Sequence, residues 1–185
     1  MKALNNFPPA SFVEAGVTRL GRWAALFVLM SGTFGCDRMT KHYAAVSLAG
    51  RAEESFLDGT VRLEYAENPG AFLSLGESLP SPLRTAVFTV GTGLVLLATV
   101  VVAFRSRWSG PPLAGLALVC AGGASNLLDR VARGRVIDFM NVGLGPVRTG
   151  IFNVADVAIL AGVVLIVFTR VRGGGDVREP PAPAV

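Results

Sequence analysis

Histidine, cysteine and charge are all scarce in this chain. His42 is the only histidine, so a His-based zinc centre is not expected. The two cysteines, Cys36 and Cys120, stand in apolar segments without metal-ligand spacing or a disulfide pattern, and read most simply as small buried residues. Only 16% of the 185 residues are charged against 51% hydrophobic, and the mean hydropathy is +0.53. That balance excludes an ordinary soluble domain of this size and puts a membrane first. The net charge of +4 suits basic flanks around membrane segments, and no nucleic-acid partner is inferred from it.

What the chain has instead is long apolar runs. Twenty uncharged residues lie between Arg84 and Arg105, and 21 between Arg107 and Asp129. A helix needs roughly 20 residues to cross the hydrocarbon, so both are expected to span. Two further runs carry an aspartate near one end. From Trp23 to Cys36 only 14 residues are uncharged, so this segment spans if Arg22 snorkels at one end and Asp37 is tolerated at the other. The last run, Gly150 to Thr169, holds Asp156 in its first third. A charged residue inside a span costs at least about 2.5 kcal/mol on insertion scales and faces a partner or a cavity. The first segment also reads as a signal peptide, with "TFGC" resembling a lipoprotein cleavage motif around Cys36. Against this, Phe34 fits that motif poorly, and more apolar spans follow rather than a soluble passenger.

The expected architecture is a membrane all-α fold of four transmembrane helices. It comprises a tail over 1–18, spans near 19–40, 83–104, 111–130 and 150–170, and a loop at 131–149. The segment 44–82 between spans one and two carries a small β-sheet lying on the membrane surface. In "TVRLEYAENPGAF", Val61, Leu63 and Tyr65 alternate with polar residues as in a half-exposed strand, and "NPG" is a turn. The Gly/Pro-rich end, 173–185, is expected to be disordered.

With four spans, the segments 44–82 and 131–149 emerge on the same side. Asp37, Lys41, Asn68, Asn126, Asp129, Arg130, Asp138, Asn153 and Asp156 all lie on those segments or the adjoining span ends. Lys and Arg divide almost evenly between the two sides, so the positive-inside rule does not orient the chain. Helical spacing groups these residues: Asp37 with Lys41 at i, i+4, Asn126 with Asp129 and Arg130, and Asn153 with Asp156 at i, i+3. Asp138 and Asp156, held close in a poorly hydrated place, cannot easily both ionise and would share a proton. One could then accept a proton from water while the other polarises a carbonyl. No Ser/His, Cys/His or metal-ligand set competes for that role.

The motifs "DRMTK" (37–41), "ENPGAF" (67–72), "GGASNLLDR" (122–130), "GRVIDF" (134–139) and "FNVADVAILAG" (152–162), in that order, resemble the lipoprotein signal peptidase (signal peptidase II) family over roughly 19–172. The chain departs from the family pattern at Ser125, where Gly is usual, and in "NPGAFLSLG". The resemblance implies that Asp138 and Asp156 are catalytic. It further implies that Asp37, Lys41, Asn68, Asn126, Asp129, Arg130 and Asn153 support them or the substrate. It also implies an aspartic endopeptidase of the bacterial inner membrane, working without metal or cofactor. Both termini would be cytoplasmic, the small β-sheet would be extracytoplasmic and the site would lie at the outer face. The partners would be membrane lipids and prolipoproteins, cut N-terminal to a diacylglyceryl-modified cysteine.

Plainer readings stand beside these. Asp129 and Arg130 form a structural salt bridge, with Asn126 locking the end of span three. Asp37 and Lys41 are either a helix-end pair or contacts to substrate or lipid. Arg133 and Arg135 bind lipid phosphates or lie on a solvated face. Gly122, Gly123, Gly143 and Gly145 serve packing and turns rather than a phosphate loop. A proton- or ion-coupled transporter and a membrane scaffold are the rival functions. The clustering of the acids at one face argues against the first.

Overall fold

The computed structural model describes residues 10–70, 79–105 and 108–173. Helix α1 (Ala10–Ser47) leads into strands β1 (Glu54–Phe56) and β2 (Val61–Asn68). Helices α2 (Ser81–Arg105) and α3 (Pro111–Arg133) follow, then β3 (Val136–Leu144), β4 (Val147–Arg148) and α4 (Val154–Gly173). Three helices, Ser81–Arg105, Pro111–Arg133 and Val154–Val171, are long and apolar enough to cross a membrane. Helix α1 has the length, at 38 residues, but is interrupted by Arg19, Arg22, Asp37, Arg38 and Lys41. It begins nine residues inside the segment expected to be a tail and runs past the end of the expected span. Apart from Gly173, the expected disordered C-terminal tail lies outside the described residues.

Helix α3 packs against α1, α2 and α4. Prolines at its first positions suit a helix start, where no N–H is needed. Gly134 ends it in the left-handed conformation, its N–H bonding to the Arg130 carbonyl at 2.9 Å. Small residues bring α3 and α4 into backbone contact. A Cβ on Gly122 would lie 2.5 Å from the Ala155 carbonyl, and one on Gly162 would lie 2.5 Å from that of Gly115. Such approach is how helices gain attraction where lipid is as apolar as the side chains. The outward faces carry exposed Val90, Leu94 and Leu97 on α2, and Leu160, Val164 and Val167 on α4. α2 has no buried residue at all. That surface is costly in water and suited to lipid.

The sheet differs from expectation. It is not confined to the segment between α1 and α2: the stretch 131–149, expected as a loop, supplies β3 and β4, in the antiparallel order β1-β2-β3-β4. Val136, Ile137, Asp138 and Phe139 are all buried, so the stretch lacks the alternation that marks a half-exposed strand. Ile137 and Phe139 pack with Ala44 and Leu48 at the end of α1, bordered by Leu63, Tyr65, Met140 and Val154. Arg148 ties the far end together, donating to the Gly59 carbonyl at 2.7 Å and to the Asn141 side chain. The β2–β3 pairing places the two connecting segments on one side of the helices, as parity required. A shift in register between Leu63 and Ala66 sets Ala66 opposite Asp138.

Candidate active site

The sequence Asn-Val-Ala-Asp begins α4 with a reciprocal cap. The Asn153 side-chain oxygen accepts the Asp156 N–H at 3.0 Å, and the Asp156 carboxylate accepts the Asn153 N–H at 3.1 Å. This is a capping box with Asn and Asp in its two places, and it fixes the carboxylate of Asp156 at the helix entrance. The remaining donor of Asn153, its Nδ2, points at Asp138 Oδ1 on β3, at 2.6 Å. One buried asparagine therefore holds both acids, which come from separate elements.

Each acid takes a second amide. Asp138 Oδ2 accepts from Asn68 Nδ2 at 3.0 Å, and Asp156 Oδ1 accepts from Asn126 Nδ2 at 2.9 Å. Asn68 is set by its own turn, its side-chain oxygen accepting the Gly70 N–H at 3.0 Å. Every carboxylate oxygen thus has one neutral donor and a lone pair to spare. The two acids line a cavity of about 70 Å³ with Asn68, Asn126, Arg130 and Val136, roomy enough for water. Burial pushes the Asp138 carboxyl up to about 6, and the neighbouring charge of Asp156 adds to the rise; hydrogen bonds from Asn68 and Asn153 and the charge of Lys41 oppose it. A carboxyl in that range exchanges protons near neutrality, as acid–base work on water requires.

Behind the acids lies a buried ion network. Lys41 is wholly buried; its ammonium donates to Asn126 Oδ1 at 2.6 Å and forms ion pairs with Asp37 Oδ2 at 2.8 Å and Asp129 Oδ2 at 2.9 Å. Asp37 also accepts from Ser125 Oγ at 2.6 Å and from the Ala155 N–H at 2.8 Å, so it anchors the first turn of α4. Asp129 is closed on its other side by Arg38 at 2.5 Å. Two acids and two bases balance, which offsets the cost of burying them. Through Asn126 the Lys41 charge reaches Asp156: the amide oxygen faces the ammonium and the amide nitrogen faces the carboxylate.

The structure brings all nine singled-out residues into this one region, with one correction. Asp129 does not pair with Arg130. Consecutive helix positions diverge by about 100°, so Asp129 faces α1 while Arg130 faces the cavity, where its guanidinium reaches the Asn126 and Gly70 carbonyls at 3.4 Å each. Lys41, read either as a helix-end pair with Asp37 or as a contact to substrate or lipid, makes the pair with Asp37 at 2.8 Å and is fully buried. Arg135, expected on a lipid-binding or solvated face, pairs with Glu67 at 2.6 Å. Arg38 and Ser125 were not among the candidates. Arg38 carries no periodic signal, and its partner lies 91 residues away. Ser125 stood out only as a departure from a pattern. Among the described residues, no group of His, Cys, Asp and Glu could hold a metal ion.

Comparison with known proteins points in one direction. Residues 29–172 match the family model described as signal peptidase II. The lipoprotein signal peptidase of Syntrophomonas wolfei is 34% identical over 138 residues, covering 75% of this chain and 87% of that one. That of Syntrophus aciditrophicus is 33% identical over 153 residues, covering 80% and 92%. Among solved structures, a bacterial membrane enzyme determined by the in meso method at 2.3 Å resolution superposes with a TM-score of 0.75 at 22% identity. The superposition covers 86% of this chain and 95% of that one.

Proposed function

The chain belongs to the signal peptidase II family, and we propose that it removes signal peptides from prolipoproteins as an aspartic endopeptidase, with Asp138 and Asp156 as its catalytic pair. The observation that carries this reading is the single amide of Asn153 holding two carboxylates from different elements over a water-sized cavity. In the proposed reaction the pair shares one proton. The ionised member takes a proton from water as the water oxygen bonds to the scissile carbonyl carbon, and the protonated member donates to the carbonyl oxygen. Collapse of the tetrahedral species breaks the C–N bond. The departing cysteine nitrogen takes a proton from the pair while a hydroxyl of the tetrahedral species gives one back to it, leaving a free amine on the lipidated cysteine, a carboxyl on the signal peptide and the pair again with one proton. Asn68, Asn126 and Asn153 orient the acids, and the Lys41 network holds the first turn of α4 in place.

The chain is a multi-pass membrane protein. We further infer that α1 is its fourth span, both termini are cytoplasmic and the acids sit at the outer face of a bacterial inner membrane. An apolar groove of about 440 Å³ between α2, α3 and α4, lined by Phe88, Gly91, Val95, Gly123 and Ile159, supports docking of a signal helix beside the cavity. Strand β2 would cover the scissile bond. Purified protein in detergent is expected to cut a diacylglyceryl-modified prolipoprotein before the lipidated cysteine, and folded Asp138→Asn and Asp156→Asn variants are not. An inert folded wild type, or full activity in either variant, would return the chain to the transporter or scaffold readings.

A further inference from the structure

Beside the acids runs a second concavity that the reaction above leaves unused. It is an open groove of about 630 Å³ between the start of α2 and the end of α3, lined by Ser81, Thr85, Thr89, Val90, Arg130 and Val131. Ser81, Thr85 and Thr89 recur at i, i+4, i+8 and so set three hydroxyls along one stripe of an otherwise apolar span. Hydroxyls on such helices ordinarily fold back onto the preceding turn, as Thr92 does on the Phe88 carbonyl at 2.7 Å and Thr99 on that of Val95 at 2.8 Å. Thr89 does not. Its hydroxyl is buried without a partner among the described residues, and so is the Nε of Arg130 across the groove. Two unmet polar groups on residues that line one concavity call for a ligand that accepts hydrogen bonds.

Arg130 lines both this groove and the cavity of the two acids, so the two adjoin at its side chain. A guanidinium can only donate, so the ligand must present acceptors to it, as ester carbonyls do. In the substrate of the proposed reaction, the nearer ester carbonyl is about seven covalent bonds from the scissile nitrogen, a reach of roughly 9 Å at ordinary bond lengths. The rims, Val90 and Val131, are exposed and apolar and would let acyl chains leave directly into lipid. Resting on the peptidase reading, we propose that this groove is the seat of the glyceryl ester groups of the substrate's diacylglyceryl cysteine. Thr89 and Arg130 donate to ester carbonyl oxygens, and Ser81 and Thr85 line the approach.

The test uses two lipopeptides that differ only in their glyceryl chains, ester-linked in one and ether-linked in the other, so that the second lacks carbonyls. With the full-length wild type in detergent, KM for the ether peptide is expected to be about three- to tenfold higher, as for loss of one neutral hydrogen bond, with kcat little changed. Thr89→Val should raise KM for the ester peptide by a similar factor and abolish the preference, while Thr89→Ser retains it. Equal KM values in the wild type, or a preference that survives Thr89→Val, would overturn the assignment. Competition by added diacyl phospholipid without any ester preference would give the groove to bulk lipid and overturn it too. If the folded wild type cuts neither peptide, the peptidase reading itself fails and the groove assignment falls with it.

Discussion

Substituting Asn153 by Asp separates two jobs that one side chain performs. Its oxygen caps α4 by accepting the Asp156 N–H, and its nitrogen donates to Asp138. Aspartate caps a helix as well as asparagine does, so the variant should fold and retain α4. The donor, however, becomes an acceptor facing Asp138 Oδ1, Asn126 Oδ1 and the Ile137 carbonyl, the three oxygens that Asn153 Nδ2 now serves at 2.6, 3.3 and 3.3 Å. A hydrogen bond to a charged group contributes about 1.5–3 kcal/mol, so activity at neutral pH should fall by about 10- to 150-fold. Below the pKa of the new carboxyl its hydroxyl can again donate to Asp138. The activity maximum should therefore move to lower pH, with part of the loss recovered there. The assay is cleavage of a lipidated prolipoprotein from pH 4 to 8, with circular dichroism confirming the helix content. A folded variant with the wild-type pH profile and rate would refute the idea that the Asn153 amide organises the two acids.

Asp138 also makes stability depend on pH. Its folded value near 6 lies above the ordinary 3.8, so the folded state holds the proton more tightly. Stability is then highest at low pH and declines as pH rises from about 4 through about 6, by up to roughly 3 kcal/mol. Thermal unfolding in detergent should display that decline in the wild type and a flatter curve in Asp138→Asn; parallel curves would contradict it. Lys41→Met leaves Asp37 and Asp129 buried without their shared cation and should cost about 3–5 kcal/mol, read as a sharp drop in unfolding temperature. By contrast Arg135→Gln, which breaks a half-exposed pair with Glu67, should alter stability by less than about 1 kcal/mol. Gly122→Ala would set a methyl 2.5 Å from the Ala155 carbonyl and should destabilise by about 1–3 kcal/mol. Activity should fall further than in Gly115→Ala, whose strain against Gly162 lies farther from Asp156.

Much of this arrangement was legible beforehand because it depends on local spacing. The apolar runs marked α2, α3 and α4, alternation marked β2, and helical intervals marked the Asp37–Lys41 and Asn153–Asp156 pairs. Strand β3 was hidden, since burial of four consecutive residues erases the period of two and leaves an apolar run with one acid in it. The partners of Asp129 were hidden for another reason. Local spacing offered Arg130 next door, whereas the ions that bind Asp129 sit on α1 and are chosen by how α1 and α3 face each other. The double role of Asn153 was half visible: an Asn-x-x-Asp start is a local signal, but the donor left over for Asp138 depends on where β3 is laid.

The glycine contacts of α3 and α4 act as a depth gauge. Gly122 meets Ala155 and Gly115 meets Gly162, each pair seven residues from the other along its helix, about 10 Å. If α4 slid by one helical turn, about 5.4 Å, Ile159 or Ile166 would come to the place of Gly162, where even a single added carbon lies 2.5 Å from the Gly115 carbonyl. Only one vertical alignment of the two helices is therefore open. The position of Asp156 along the α3–α4 seam is thus set by close-packed backbone as well as by the polar groups around it.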